Sequence, residues 1–505
     1  MQEIYLDYDK LQFNIEITDV ITSDEIYECY RSTALKLEQF YKKAKNELNG
    51  DDYFWSYVGC WQWHRHDNIT GSVKRIYCDF LIEKLRQKGY KIIYLKNGIT
   101  KKIHNFGKLS SAPKLLNLLI NIVKINFVKN NVVDKEVDVL LFRNENTSPR
   151  LGDIYNDLKI KYNVQEFHMK DALTYKAKKL KSVYTYISLS VIVKALFHSI
   201  KQGFLFQFKY KDYKVESVLI KPPGVYEFFL SYLHFFCVKS TIKKLKPKKI
   251  IYQISVNGPF GRRIAKAALS FENVETINLI MKPFPENSIP FVCGLDDEDK
   301  KMGMADRIIV INNYHKELLS KRLNKEIFIQ AGWRDKILNN TYSNNRKSIN
   351  LYPHLLIILG VNDDVNLQLI KDVLEYCSCK VAVKAHPTMY KDDYFRDERI
   401  VEVVDNNWRK IVIPNKSLAI TVESSAAMEV IKYGGKVLWT PFYSLGFVVN
   451  YYFMNDTGMV MKNKIMLKEF FENYESNENL FDDIFNRNVG DILVKYLPVD
   501  KFLDL

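Results

Sequence analysis

The chain has 505 residues, 47% hydrophobic and 26% charged, with a net charge of +15. That is a globular composition, too long for one ordinary core and long enough for two α/β domains of about 150–300 residues each. It excludes a chain dominated by disorder, and the charge excess sits almost wholly in one segment, between Lys159 and Lys249.

The start, MQEIYLDYDK, has acids where a secretory signal needs a basic patch and an apolar run, so no export signal is expected and a cytoplasmic location is. Seven scattered cysteines read as reduced thiols, since a chain of this size needs no staples. Candidate strands of the first lobe follow at 53–60, 91–97, 138–144, 249–257, 276–281, 307–313 and 327–332. Short β-branched or apolar runs alternating with helical patterns are the mark of parallel sheets covered by helices. After the first run, Trp61, Trp63, His64, His66 and Asp67 combine ring faces with titrating groups; they read as a packed aromatic surface or as a sugar-stacking patch.

Between Lys159 and Lys249 nineteen lysines, no arginine and five acids leave +14. The same stretch carries YTYISLSVIVKALFHSI (184–200) and YEFFLSYLHFFCV (226–238), which Lys194 and His234 interrupt and which fall short of bilayer spans. Residues 159–249 therefore read as a basic helical insertion. Two readings of its charge stand: an anionic membrane surface, or a solvated basic face over core helices. Nucleic acid is not an expected partner, because lysine without arginine lacks the bidentate readers such sites use.

Further on, NGPFGRRIAKAAL (257–269) is a glycine-broken loop entering a helix, without the GxGxxG spacing of a dinucleotide site. The run from Asp296 to Asp299 suits a solvated helix start, since consecutive acids do not converge on one ion, and no metal site is expected. Residues 333–353, rich in Asn, Ser and charge, read as the connection between a first lobe at 1–335 and a second at 350–455. Strands of the second lobe are expected at 354–360, 380–387, 400–404, 418–425 and 436–441. Cys377-Ser378-Cys379, with no second pair or nearby histidine, reads as buried thiols at a helix-to-strand junction.

Open α/β sheets place ligands at the carboxyl ends of their strands. In VKAHP, Lys384, His386 and Pro387 follow an apolar run and point donors out of the sheet top. In TVESSAAMEVIKYGG, Ser424 and Ser425 precede a helix whose free N–H groups suit a phosphate. Singly, the histidine reads as a turn residue and the serine as a helix cap; together, about 40 residues apart after two strands expected to be adjacent, they form a constellation. Gly360 opens the loop GVNDD, which reads as a turn.

VKAHP and VESSAAMEVIKYGGKVLWTPF resemble the His-Pro and Ser-Ser motifs of bacterial GT-B enzymes that use CMP-activated acidic sugars: polysialyltransferases, lipooligosaccharide sialyltransferases and Kdo transferases of surface carbohydrate assembly. The resemblance is close from Leu355 to about Phe447 and covers the first lobe only in outline. It implies two Rossmann-like lobes with a central cleft and a C-terminal crossover, a helical tail at 456–505 bracing the first lobe. It implies nucleotide-phosphate contacts for His386, Ser424 and Ser425, with Lys384 beside them, and a place beside the donor phosphates for the loop that Gly360 opens. Glu429 falls where many such enzymes hold the donor's ribose or sugar, and also where an ordinary first-turn acid suits the helix dipole.

The implied partners are a nucleotide-sugar donor, with no separate cofactor, and a glycan or lipid-linked acceptor. An imidazole and hydroxyls around a departing phosphate stabilise its charge without reorganising, so metal-independent transfer is expected. The general base is expected in the first lobe, at Glu145 or Asp153 in RNENTSPRLGD, although no clean family match marks either. Two alternatives share the motifs: transfer of a polyol phosphate from a CDP-glycerol-type donor, and a non-catalytic glycan-binding scaffold.

Overall fold

The computed structural model describes residues 2–7, 12–15, scattered positions from 17 to 39, 72–95, 136–143, 152–168, 181–210, 214–215, 218–219, 225–253, 259–280, 304–310, 313–320, 328–330, 355–403 apart from 361, 387 and 388, 418–444 apart from 423, 425, 433 and 434, 454, and 458–474. Near the chain start, β1 (Glu3–Asp7) lies between β2 (Gln12–Phe13) and β3 (Lys91–Tyr94), antiparallel to the first and parallel to the second. Helix α1 (Ser72–Gln87) precedes β3 and packs Tyr77, Leu81 and Leu85 into the same core as Ile4.

A seven-stranded parallel sheet follows. Its first half comprises β4 (Val139–Arg143), α2 (Gly152–Lys161), β5 (Val164–His168), β6 (Lys181–Ser182) and α3 (Leu189–Tyr210). A small hairpin, β7 (Lys214–Val215) with β8 (Val218–Leu219), leads to α4 (Val225–Leu245). The second half comprises β9 (Lys249–Tyr252), α5 (Pro259–Ala268), β10 (Glu275–Ile280), β11 (Arg307–Val310), α6 (Asn313–Ser320) and β12 (Phe328–Gln330). The order is β12-β11-β10-β9-β4-β5-β6. The chain steps outward from β4 to β6, returns past β4, and steps outward the other way from β9. Such a reversal leaves a crevice-forming switch point between β4 and β9.

Residues 159–249, expected as an insertion, are built into this lobe. They supply β5 and β6 to the sheet, and α4 buries Leu233, Cys237, Val238 and Ile242 in the core that holds Leu140, Phe142 and Ile250. No helix among the described residues is long and apolar enough to cross a membrane.

The second sheet repeats the plan. Its elements are β13 (Leu355–Ile358), α7 (Asp363–Tyr376), β14 (Val381–Lys384), β15 (Ile400–Glu402), β16 (Leu418–Thr421), α8 (Ala427–Lys432), β17 (Lys436–Trp439), β18 (Met459–Val460) and α9 (Lys464–Tyr474). All pairings are parallel, in the order β15-β14-β13-β16-β17-β18. LLII, VAVK and LAIT are buried along their whole length, as central parallel strands covered on both faces must be. The chain therefore has the two-lobed α/β architecture, two doubly wound Rossmann-like sheets in succession.

The tail expected to brace the first lobe begins by completing the second. β18 extends the sheet, and Gly458 before it lies so close to Val437 O and the Trp439 indole that a Cβ there would collide with both. α9 buries Leu467, Phe470 and Phe471 beside Leu369 and Val373 of α7. Toward the first lobe, Lys462 pairs with Asp24 at 3.0 Å on the surface, where such a pair contributes little. Residues 475–505 lie outside the described residues.

A buried carboxylate anchors α9. Asp372 accepts from Tyr443 OH at 2.6 Å and Gln368 Nε2 at 2.7 Å, and pairs with Lys464 at 3.1 Å. Removing the cation strands a charge away from water, so Lys464→Met is expected to cost about 3 kcal/mol, with Asp372→Leu in the same chain recovering most of it. Chemical denaturation combined with amide exchange over α9 measures both.

Candidate active site

The strand order corrects one expectation. β14 and β16 are not neighbours: β13 lies between them, because the chain leaves β13 toward β15 and then crosses back to its other side. The loops bearing His386 and Ser424 leave strands two spacings, or about 10 Å, apart, and the loop after β13, with Gly360, runs between. Register puts the three strand ends level, Ile358 beside Lys384 and Ile357 beside Ile420. The switch point of this sheet falls between β13 and β16, so Gly360 and Ser424 flank it directly and His386 lies one strand outside.

Hydrogen bonds fix the rim on both sides of β13. Leu359 N–H donates to Lys384 O at 3.0 Å on one side; on the other, Thr421 Oγ1 donates to Ile358 O at 2.8 Å and accepts from Ser424 N–H at 3.1 Å. Thr421 is fully buried, so this one hydroxyl stitches two strand ends together and aims the chain that carries Ser424. Ser424 Oγ accepts from Ala426 N–H at 3.4 Å, and its carbonyl accepts from Ala427 N–H at 3.0 Å. The cap uses the serine oxygen as an acceptor, and the hydroxyl keeps one O–H as a donor. α8 then runs for only six residues, so no long helix dipole stands behind this turn.

On the other side, Lys384 is buried at the end of β14, with Nζ 3.5 Å from Ala385 O. His386 is half-buried, and its carbonyl accepts from Met389 N–H at 2.9 Å. Ser425 lies outside the described residues, and Glu429 falls within α8 with its side chain outside them.

Gly360 is held by a device the sequence reading missed. The amide of Asn366, buried in α7, clamps it from both ends: Gly360 N–H donates to Oδ1 at 2.9 Å, and Nδ2 donates to Gly360 O at 3.1 Å. Nδ2 also donates to Tyr394 OH at 3.2 Å, and Tyr394 OH donates to Asp363 Oδ1 at 2.6 Å, while Lys391 pairs with the other Asp363 oxygen. With its backbone groups committed, Gly360 gives the loop its shape rather than a donor to a ligand. The available signal was an asparagine at an inward position of the amphipathic run DDVNLQLI.

In the first lobe the switch point falls between β4 and β9. Glu145 lies outside the described residues, and Asp153 is the second residue of α2, the helix after β4, with its side chain outside them. α5, the helix after β9, carries Arg262, which is buried, and Arg263, whose guanidinium sits 4.9 Å from the Phe260 ring. His234 of α4 meets that ring edge-on at 5.0 Å, and burial holds its imidazole neutral well below the usual histidine range. The Trp61 cluster and Asp296–Asp299 lie outside the described residues. Cys377 is buried but Cys379 is exposed, against the expectation for both; among the described residues no group of three His, Cys, Asp or Glu side chains could hold a metal ion.

Acid should loosen the Asp363 contacts to Lys391 and Tyr394 beside the Gly360 clamp. Hydrogen bonds from Lys391 and then Tyr394 hold the Asp363 carboxyl below its usual range. Its contribution is complete above the ordinary carboxylate pKa of about 4 and is lost as pH falls through the depressed value. Amide exchange over residues 389–396, corrected for intrinsic rates, should stay flat from neutral pH down to that range and rise below it. Asp363→Asn should show raised exchange throughout and no acid step.

No family model matches the sequence, and no curated protein matches it. Solved structures do resemble it. A UDP-GlcNAc 2-epimerase from Neisseria meningitidis, bound to UDP-GlcNAc, is 10% identical over 70% of this chain and 95% of its own, with a TM-score of 0.42. Anabaena Alr3699/HepE in complex with UDP is 8% identical over 69% and 91%, at 0.39. The wall teichoic acid polymerase TagF is 12% identical over 75% and 92%, at 0.38. The fold assignment rests on the two strand orders themselves.

Proposed function

We propose that this chain is a glycosyltransferase that moves a sugar, a CMP-activated acidic sugar of the Kdo or sialic-acid kind, from its nucleotide to a surface polysaccharide or lipid-linked glycan. It would work at the inner face of an anionic membrane. One observation carries the reading. Two doubly wound sheets follow one another in one chain, and Ser424 lies at the switch point of the second, with His386 one strand away. In the reaction the anomeric carbon–oxygen bond to the nucleotide phosphate breaks and its electrons leave with the phosphate. The acceptor oxygen bonds to the anomeric carbon, and its proton passes to Glu145 or Asp153. Lys384, His386, Ser424 and Ser425 stabilise the charge growing on the phosphate, a task that donors aimed in advance perform without a divalent metal. Glu429 and the Gly360 loop hold the ribose or the sugar, and the Asn366 clamp fixes the position of Gly360.

A nucleotide-sugar screen by mass spectrometry tests this, with release of CMP from a sugar-acid donor expected. Bound at 100 times its dissociation constant, the right nucleotide should add about 2.7 kcal/mol to stability. Turnover of CDP-glycerol would move the reading to polyol-phosphate transfer, and no thermal shift with CMP, CDP, UDP or GDP would leave a scaffold. His386→Ala, and Ser424→Ala combined with Ser425→Ala, should each lower turnover by about 100-fold or more in a chain that still folds, the serine variant losing about 1 kcal/mol with its cap. Near-normal rates in either variant would refute the assignment.

A further inference from the structure

Helix α3 (Leu189–Tyr210) is apolar on two faces, and only one of them is covered. Val191, Ala195, Ser199, Gln202 and Gly203 are buried. On the opposite side Leu189, Val193, Phe197, Ile200 and Phe204 are all solvent-exposed, from 41% at Ile200 to 76% at Leu189. At about 100° per residue these five fall within a sector roughly 80° wide, and at about 1.5 Å per residue the stripe runs roughly 22 Å. Five large apolar side chains in register along one exposed face differ from the scattered exposed leucine that any surface carries.

The charge beside the stripe says what covers it. Lys194 and Lys201, both exposed, lie along one edge of the sector, and α3 contains no aspartate or glutamate. A second copy of the chain laid on this face would bring lysine edges together without a carboxylate to answer them. An anionic bilayer meets both needs: the apolar side chains enter the acyl boundary and the lysines sit among the headgroups. The helix is not a span, which agrees with the absence of any membrane-crossing helix among the described residues.

We infer that α3 docks the protein flat on an anionic lipid surface through Leu189, Val193, Phe197, Ile200 and Phe204, with Lys194 and Lys201 at the headgroups. This deepens the membrane-facing part of the proposed function and rests on it for its purpose. Its test needs no donor or turnover, so the two can fail separately.

Flotation of the full chain with vesicles of phosphatidylcholine alone, or with about one third phosphatidylglycerol, provides the measurement. The protein should float with the anionic vesicles and not with the neutral ones, and added salt should weaken the binding. Phe197→Ser with Phe204→Ser, and separately Lys194→Glu with Lys201→Glu, should each reduce the bound fraction about tenfold. Both leave the buried face intact, so melting temperature and nucleotide-induced stabilisation should match the parent chain. Three results would overturn the inference: a parent chain that stays in solution with both vesicles, an apolar double variant that binds as well as the parent, or a dimer in solution that the same apolar substitutions dissolve, which would give the face to a second copy.

Discussion

The candidate site depends on the end of one strand. β13 enters the second sheet first and ends up in its middle, so everything that follows must hang on one of its two sides. At its carboxyl end the main chain is tied leftward by Leu359 N–H to Lys384 O and rightward by the Thr421 hydroxyl to Ile358 O. These bonds hold the rims of β14 and β16 at a fixed separation with the Gly360 loop between. Buried, they lack competition from water, and that gives such short-range geometry its stiffness.

This arrangement separates roles that the motifs alone had merged. The serine turn belongs to the switch point itself, its backbone N–H groups spent on Thr421 and on Ser424. The histidine belongs to the next strand out, so it approaches any ligand from the flank. Between them the glycine loop, its own groups spoken for by Asn366, decides how much room the pair leaves.

Much of the fold was legible because buried parallel strands are written as unbroken apolar runs. LLII, VAVK, LAIT and KVLW each became a strand where the run predicted one. β1, as EIYLD, was not seen: it is five residues long, alternates with acids, and takes its place in part by pairing with β3 some 88 residues later. Strand adjacency was misjudged for a related reason. The step from β15 back across β13 is set by how the whole sheet closes, and no local pattern records it. Thr421 and Asn366 stayed hidden because a threonine ending a strand and an asparagine in a helix are common. Their importance comes from partners 63 and 28 residues away.

The placement of β18 and α9 bears on where the second lobe can be cut. A boundary drawn at Asn455 from the sequence pattern would remove the sixth strand together with Lys464, leaving the edge of β17 unpaired and Asp372 without its cation. The smallest piece of this chain that could be excised and still close its own hydrophobic interior therefore extends at least to Tyr474. A shorter fragment would present an open sheet edge and a naked helix groove, the two features that drive a truncated α/β domain to self-associate.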